Sequence, residues 1–275
     1  IPGATNPIER VAGATTDIQY LVHQGFTHFN ATFWVGANAL IRKAAIDDIR
    51  SVSHEGAQQV VRYIQDRTVI EDTESTLDLT RKGWRLHNYP ERLAYSATPP
   101  DFGALLIQRR RWANGGLLIF PKLVRYLRRA RHEHRLVEGV VRAHYLISLG
   151  GVSVGMLLLL LLPPQSTLLS AWLPLTTLPY HLLYGRDLVR FGYRPTDLVR
   201  VYGLNLLLIP INLGGVIKSL HQAMTGTKIP FGRTPKVLDR TAAPATYILA
   251  ELALCGCLLY AAAIDVSIGR WGLAA

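Results

Sequence analysis

The chain has 275 residues, a net charge of +11, and 49% hydrophobic residues gathered in long blocks. Such blocks exclude a purely soluble protein, and basic clusters that flank them directly point to a membrane surface rather than nucleic acid as the partner of the charge. Cys255 and Cys257 lie one residue apart in an apolar run, which excludes a disulfide framework, and no His/Cys set has zinc spacing.

Ile1-Pro2-Gly3 has neither a start Met nor a basic n-region, so the chain opens in mid-protein character with no signal peptide expected. Asn6-Pro7 marks a turn, and Ile18, Leu21 and Val22 have helical spacing after it. Residues 33–35 read as a short buried strand. Gly36 then permits either a close backbone approach or a plain turn. Residues 39–49 read as a short helix. Residues 67–70 are β-branched and strand-like, and they end directly at Glu71-Asp72. The helix after them carries acids in its first turn, Lys82 in its last, and Gly83 as its stop. Asp72 therefore falls at a strand-to-helix junction, where open α/β sheets expose reactive groups, although an ordinary N-cap would use the same residue. Residues 84–89 and 93–97 read as two further strands. His28, His54 and His87 have no companions at useful spacing and are structural or solvated.

Thr98-Pro99-Pro100-Asp101 has the form of a helix start, with Thr98 as cap and Asp101 as capping-box acid. In that helix Gln108, Arg111 and Trp112 fall at i, i+3 and i+4 and share a face, while Arg109 and Arg110 face elsewhere. An amide, a guanidinium fork and a flat ring suit a pyrophosphate and a sugar. A surface basic helix with a core Trp has the same spacing, and spacing alone leaves both readings open.

After Trp112 an apolar stripe of Phe120, Leu123, Val124 and Leu127 opposes Lys122, Arg125, Arg128, Arg129 and Arg131, as in a helix lying on an anionic membrane. Residues 140–162 are long enough to cross a hydrocarbon core, and residues 168–184 return. Arg186, Arg190, Arg194 and Arg200 assign the next segment to the cytosol. Residues 202–220 are apolar, but Asn205, Pro210, Asn212 and Gly214-Gly215 interrupt them and basic residues flank both ends, so the segment reads as interfacial or re-entrant. Residues 245–264 cross again, and Asp265, Arg270 and Trp271 mark the outer boundary.

Gln108-Arg109-Arg110-Arg111-Trp112 resembles the Q-x-x-R-W signature of processive family 2 glycosyltransferases, the group of cellulose, hyaluronan and chitin synthases. Glu71-Asp72 resembles the end of their T-E-D motif, with Ile70 in place of the Thr. Phe33-Trp34-Val35-Gly36-Ala37-Asn38 resembles the F-F-C-G-S segment. Phe231-Gly232-Arg233-Thr234-Pro235-Lys236 resembles the F-x-V-T-x-K gating loop, from which Pro235 and Val237 depart. The resemblance implies an α/β fold, the C-terminal half of a GT-A catalytic domain over 1–116. An interface helix over 117–135 would follow, then a helical channel region over 136–275 with an interfacial helix at 201–222 and a gating-like loop at 224–240. It implies a plasma-membrane, multi-pass enzyme with its catalytic portion in the cytoplasm. That enzyme would polymerise a UDP-sugar, UDP-glucose first, into a β-linked polysaccharide and extrude it, with accessory export subunits as further partners. In that reading Asp72, with Glu71, is the catalytic base, Gln108 and Arg111 bind the donor pyrophosphate, and Trp112, Val35, Gly36 and Ala37 meet the acceptor. Phe231, Thr234 and Lys236 gate. The family's Mg²⁺ or Mn²⁺ is held by a D-x-D that Asp47-Asp48 does not match, so its ligands are expected in an N-terminal half outside this chain, without which the chain is expected to be inactive. A hyaluronan-, chitin- or mannan-type synthase, and a non-catalytic membrane scaffold or transport subunit keeping the motifs, are the alternatives.

Overall fold

The computed structural model describes residues 4, 6–36, 38–129, 135–161, 167–227, 230, 232–235 and 240–270. Helices dominate them. α1 (Pro7–His28) starts at Asn6, whose Oδ1 accepts from the Glu9 amide at 2.9 Å, with Pro7 in the first turn. α2 is short (Lys43–Asp48). β1 (Ser51–Glu55) and β2 (Gln58–Arg62) form an antiparallel hairpin, turned by Gly56 at φ 62°. α3 (Glu71–Arg81) ends at Lys82, and Gly83 takes φ 87°.

The α/β expectation is met only in part, because the hairpin holds all the strand among the described residues. Residues 33–35, 67–70, 84–89 and 93–97 are extended or bent segments outside any ladder. Their β-branched and aromatic residues favour extension, but a strand also needs a neighbour for its amides. Here side chains serve instead. Thr76 Oγ1 accepts from the Trp34 amide at 2.9 Å, Ser75 Oγ from Gln65 at 2.9 Å, and Thr27 Oγ1 from Asn88 at 3.0 Å.

α4 (Phe102–Arg129) is one continuous helix through Pro121. Asp101 rather than Thr98 caps it: Asp101 Oδ1 accepts from the Ala104 amide at 2.8 Å, while the Thr98 hydroxyl donates to the Glu9 carbonyl at 3.2 Å. The stripe expected on the membrane surface meets protein. Ile119 and Leu123 are fully buried with Phe33, Leu77 and Leu146, and Lys122 pairs with Asp78 of α3 at 2.6 Å.

α5 (Arg135–Leu161) and α9 (Ala245–Ser267) are long and apolar enough to cross a membrane. At 1.5 Å per residue both exceed a core of about 30 Å. α6 (Thr167–Arg190) contains the expected return span but falls short of that apolarity, because prolines, threonines and His181 dilute its leucines. α7 (Asp197–Leu207) and α8 (Ile209–Thr225) are bent by 42° at Leu208, two residues before Pro210, and together they are apolar enough for a broken span or a re-entrant loop. α8 packs along α4. A Cβ on Gly215 would lie 2.6 Å from Ala113 Cβ, and Ser219 Oγ donates to Asn114 Oδ1 at 3.0 Å. A second core joins α1, α4, α6, α7 and α8 through Val11, Ile18, Leu105, Leu188, Leu204 and Ile211.

Candidate functional site

Residues 30–36 lie along α3 in the opposite direction. Two extended residues advance about 6.6 Å, and one helical turn of four residues about 6 Å, so every second residue of the segment meets the next turn of the helix. The Trp34 amide finds Thr76, and the Gly36 amide donates to Asp72 Oδ2 at 2.9 Å. Asp72 Oδ1 accepts from the Thr73 amide at 2.6 Å. The carboxylate is thus aimed by two backbone donors at the start of α3, where the helix dipole also favours its charge. A Cβ on Gly36 would lie 3.0 Å from Asp72 Oδ2. That is the close approach for which a glycine is suited.

On α4 the three arginines of the motif point to different partners. Arg111 is half-buried and feels both Glu71 and Asp72. Burial lowers its pKa from the usual arginine range, against the opposing pull of the two carboxylates. Arg109 turns the other way, into the protein. It donates to the Thr15 hydroxyl, and burial pulls its pKa down to about 10. Its guanidinium lies 4.5 Å from the centroid of the Trp112 ring, so one face of that ring is already occupied. Arg110 approaches the Tyr247 ring at 5.9 Å. Gln108 is half-buried, and its Oε1 is buried without a hydrogen-bond partner among the described residues.

Val35 and Gly36 are exposed beside Asp72, while Ala37 lies outside the described residues. In the expected gating loop Phe231 and Lys236 also lie outside them. Thr234 is buried, with its hydroxyl unpaired among the described residues. A Cβ on Gly232 would come 3.7 Å from Ile107 Cγ2, so this loop passes α4 one residue from Gln108. Trp34 Nε1 is likewise buried and unpaired. Three motifs therefore each end in a buried polar atom that lacks a partner among the described residues, a state that costs about 1–3 kcal/mol per group unless something fills it. No three His, Cys, Asp or Glu side chains among the described residues converge to hold a metal ion. The divalent cation implied by the resemblance finds no ligand set in them.

Sequence reasoning missed Glu138 and Arg142 on α5. Arg142 is 1% exposed, and its Nε donates to Glu138 Oε1 at 2.8 Å. Its Nη2 donates to the Asn30 carbonyl at 2.9 Å, and its guanidinium lies 4.9 Å from the Phe33 ring centroid. The signal was an Arg at i+4 from a Glu at the head of an apolar helix, where an unpaired charge would be costly.

The family described as glycosyl transferase family group 2 matches residues 1–184. Among curated proteins the chain is similar to the cellulose synthase 1 catalytic subunit [UDP-forming] of Komagataeibacter xylinus. The two are 30% identical over 100 residues, which is 36% of this chain and 12% of that protein. The matched stretch is thus a small part of the relative's length. No solved structure matches the chain.

Proposed function

This chain belongs to glycosyl transferase family group 2 and is cellulose synthase-like, and on that premise we propose that it carries the acceptor and catalytic-base side of a membrane-embedded inverting polysaccharide synthase. The donor is a UDP-sugar, UDP-glucose by similarity to the bacterial cellulose synthase. Asp72 removes the proton from the acceptor hydroxyl as that oxygen attacks the anomeric carbon and UDP departs with the electrons of the broken bond. Arg111 stands beside Asp72 and Glu71 and offsets charge on the departing diphosphate, with the Gln108 amide on the same helix. Trp112 offers its remaining face to the acceptor, which Val35, Gly36 and Ala37 also meet. The 232–235 stretch, with Thr234, belongs to a loop that closes over bound UDP, together with Phe231 and Lys236. The donor's divalent cation takes ligands outside the described residues.

One observation carries this reading. The Gly36 amide fixes the Asp72 carboxylate, which joins two separately recognisable motifs in one contact. The buried, unpaired Trp34 Nε1, Gln108 Oε1 and Thr234 Oγ1 support a polar ligand such as a nucleotide or a sugar. The two spans and the bent α7–α8 pair support export, since a polar polymer cannot cross lipid unaided. Catalysis on the cytoplasmic side of the plasma membrane belongs to the same proposal.

The test is Asp72→Asn in the full-length protein. It should lower polymer synthesis about 10²–10⁴-fold while UDP affinity, by calorimetry, stays within about twofold, because the amide keeps the shape and loses the base. Wild-type turnover in that variant would sink the assignment.

A further inference from the structure

We propose that Arg142 is a positioning residue that sets the register of residues 30–36 on α3, and through it the aim of Asp72. The inference rests on Asp72 being the base. The segment is secured at Gly36 by Asp72 and at Trp34 by Thr76. Its far end is held by Arg142, which donates to the carbonyls of Asn30 at 2.9 Å and Thr32 at 3.4 Å, and reaches Thr80 Oγ1 at 3.4 Å. Asn30 has φ 54°, a left-handed turn that starts the segment where Arg142 grips it. Glu138 holds the guanidinium, and the Tyr126 hydroxyl donates to Glu138 Oε1 at 3.0 Å.

The register has a chemical consequence. A slip of one residue would bring a residue with a side chain to the place of Gly36, where a Cβ sits 3.0 Å from Asp72 Oδ2 and pushes the carboxylate away. Holding α5 against α4 does not itself need the ion pair. Gly116 lets α4 meet the Leu146 carbonyl, and Gly139 lets α5 meet Leu127. A buried pair costs desolvation that an apolar pair of the same volume would avoid. What an apolar pair cannot do is donate to two carbonyls at once. Through Arg142 the first membrane helix and the acceptor segment form one unit.

The experiment uses the full-length protein and UDP-glucose, with turnover read as UDP release and UDP affinity by calorimetry. Arg142→Lys keeps the buried charge opposite Glu138 but loses the fork. It should cut turnover about 10–100-fold, the scale of a small misplacement of reacting groups, with UDP affinity unchanged. Thr76→Val, which frees the Trp34 amide without touching the ion pair, should give the same pattern. In a double-mutant cycle Arg142→Lys and Gly36→Ala, which are not in contact, should together cost no more than the larger loss alone. Unchanged turnover, additive losses, or equal losses in affinity and turnover would overturn the proposal. Asp72→Asn run alongside separates the two ideas: if it retains turnover the base assignment fails, and if it abolishes turnover while the cycle is additive only the register role fails. Amide exchange at Gly36 requires no activity. Arg142→Lys should accelerate it, and an unchanged rate would also overturn the proposal.

Discussion

His23 shows how a single ring can tie the acceptor segment to pH. It is 1% exposed on α1, its Nδ1 lies 3.2 Å from Thr32 Oγ1, and the Phe33 amide points at the same nitrogen at 3.5 Å. Nδ1 therefore serves as an acceptor and the ring as a neutral imidazole. Burial lowers its pKa from 6.5 to about 4. The unfolded chain takes up the proton first as pH falls, so stability is complete above about pH 6.5 and is lost progressively down to about pH 4. Full expression of that difference is about 3 kcal/mol. Thermal unfolding in detergent should show this slope, and His23→Gln should flatten it. An identical slope in the variant would assign the acid sensitivity to other groups. Asp72 and Gly36 could each be singled out in the sequence because both sit in recognisable motifs, but the hydrogen bond between them comes from the fold. His23 and Arg142 could not, since each owes its role to neighbours that only the fold supplies. Arg142 meets Asn30 across 112 positions of chain.

Helices such as α1, α3 and α4 were legible because their signals are local. Asn6-Pro7 and Gly83 act within one turn of the ends they mark, and Asp101 caps where an acid was expected, although it displaced Thr98 as the cap. The expected strands failed for the opposite reason, since a strand depends on a partner that its own residues do not name. The hairpin of β1 and β2 gives no apolar alternation because its half-covered face carries Ser51, Ser53 and Arg62 beside Val60, while Val52 and Val61 lie on the exposed face. The interruption at Pro210 and Gly214-Gly215 was visible, but the use of Gly215 was not. It lets α8 lie against the backbone of α4, with Arg110 O 2.8 Å from where a Cβ would be. Gly215→Val should therefore cost about 1–3 kcal/mol by overpacking. Gly203→Ala on α7, which meets nothing within 4 Å, should be neutral or gain up to about 1 kcal/mol from the better helix former. Thermal unfolding of both variants in detergent checks the pair, and equal effects would mean that α8 does not dock on α4 as described.

The whole molecule places a soluble-like shell of α1, α3 and α4 against apolar helices, and its orientation hinges on the bent pair. If α7 and α8 return to the side they left, single cysteines at Arg194 and Thr227 will be labelled from the same face of sealed vesicles by an impermeant maleimide. Labelling from opposite faces would make the pair a broken span and put the loop after Gly226 across the membrane from Asp72. The contacts that close this shell also impose an order in time. Arg10 of α1 donates to the fully buried Asp197, 187 positions later, at 2.9 Å, and Asp17 accepts from Tyr193, 176 positions later, at 2.7 Å. A ribosome adding about 5–20 residues per second reaches those partners roughly 10–40 s after making α1. During that interval Val11, Ala12, Ala14 and Ile18, which end buried against Leu188, Val201 and Leu204, can be covered only in part, by Leu105 and Leu106 of α4. α1 thus completes its docking only when Asp197 and Tyr193 arrive, long after its own residues are made.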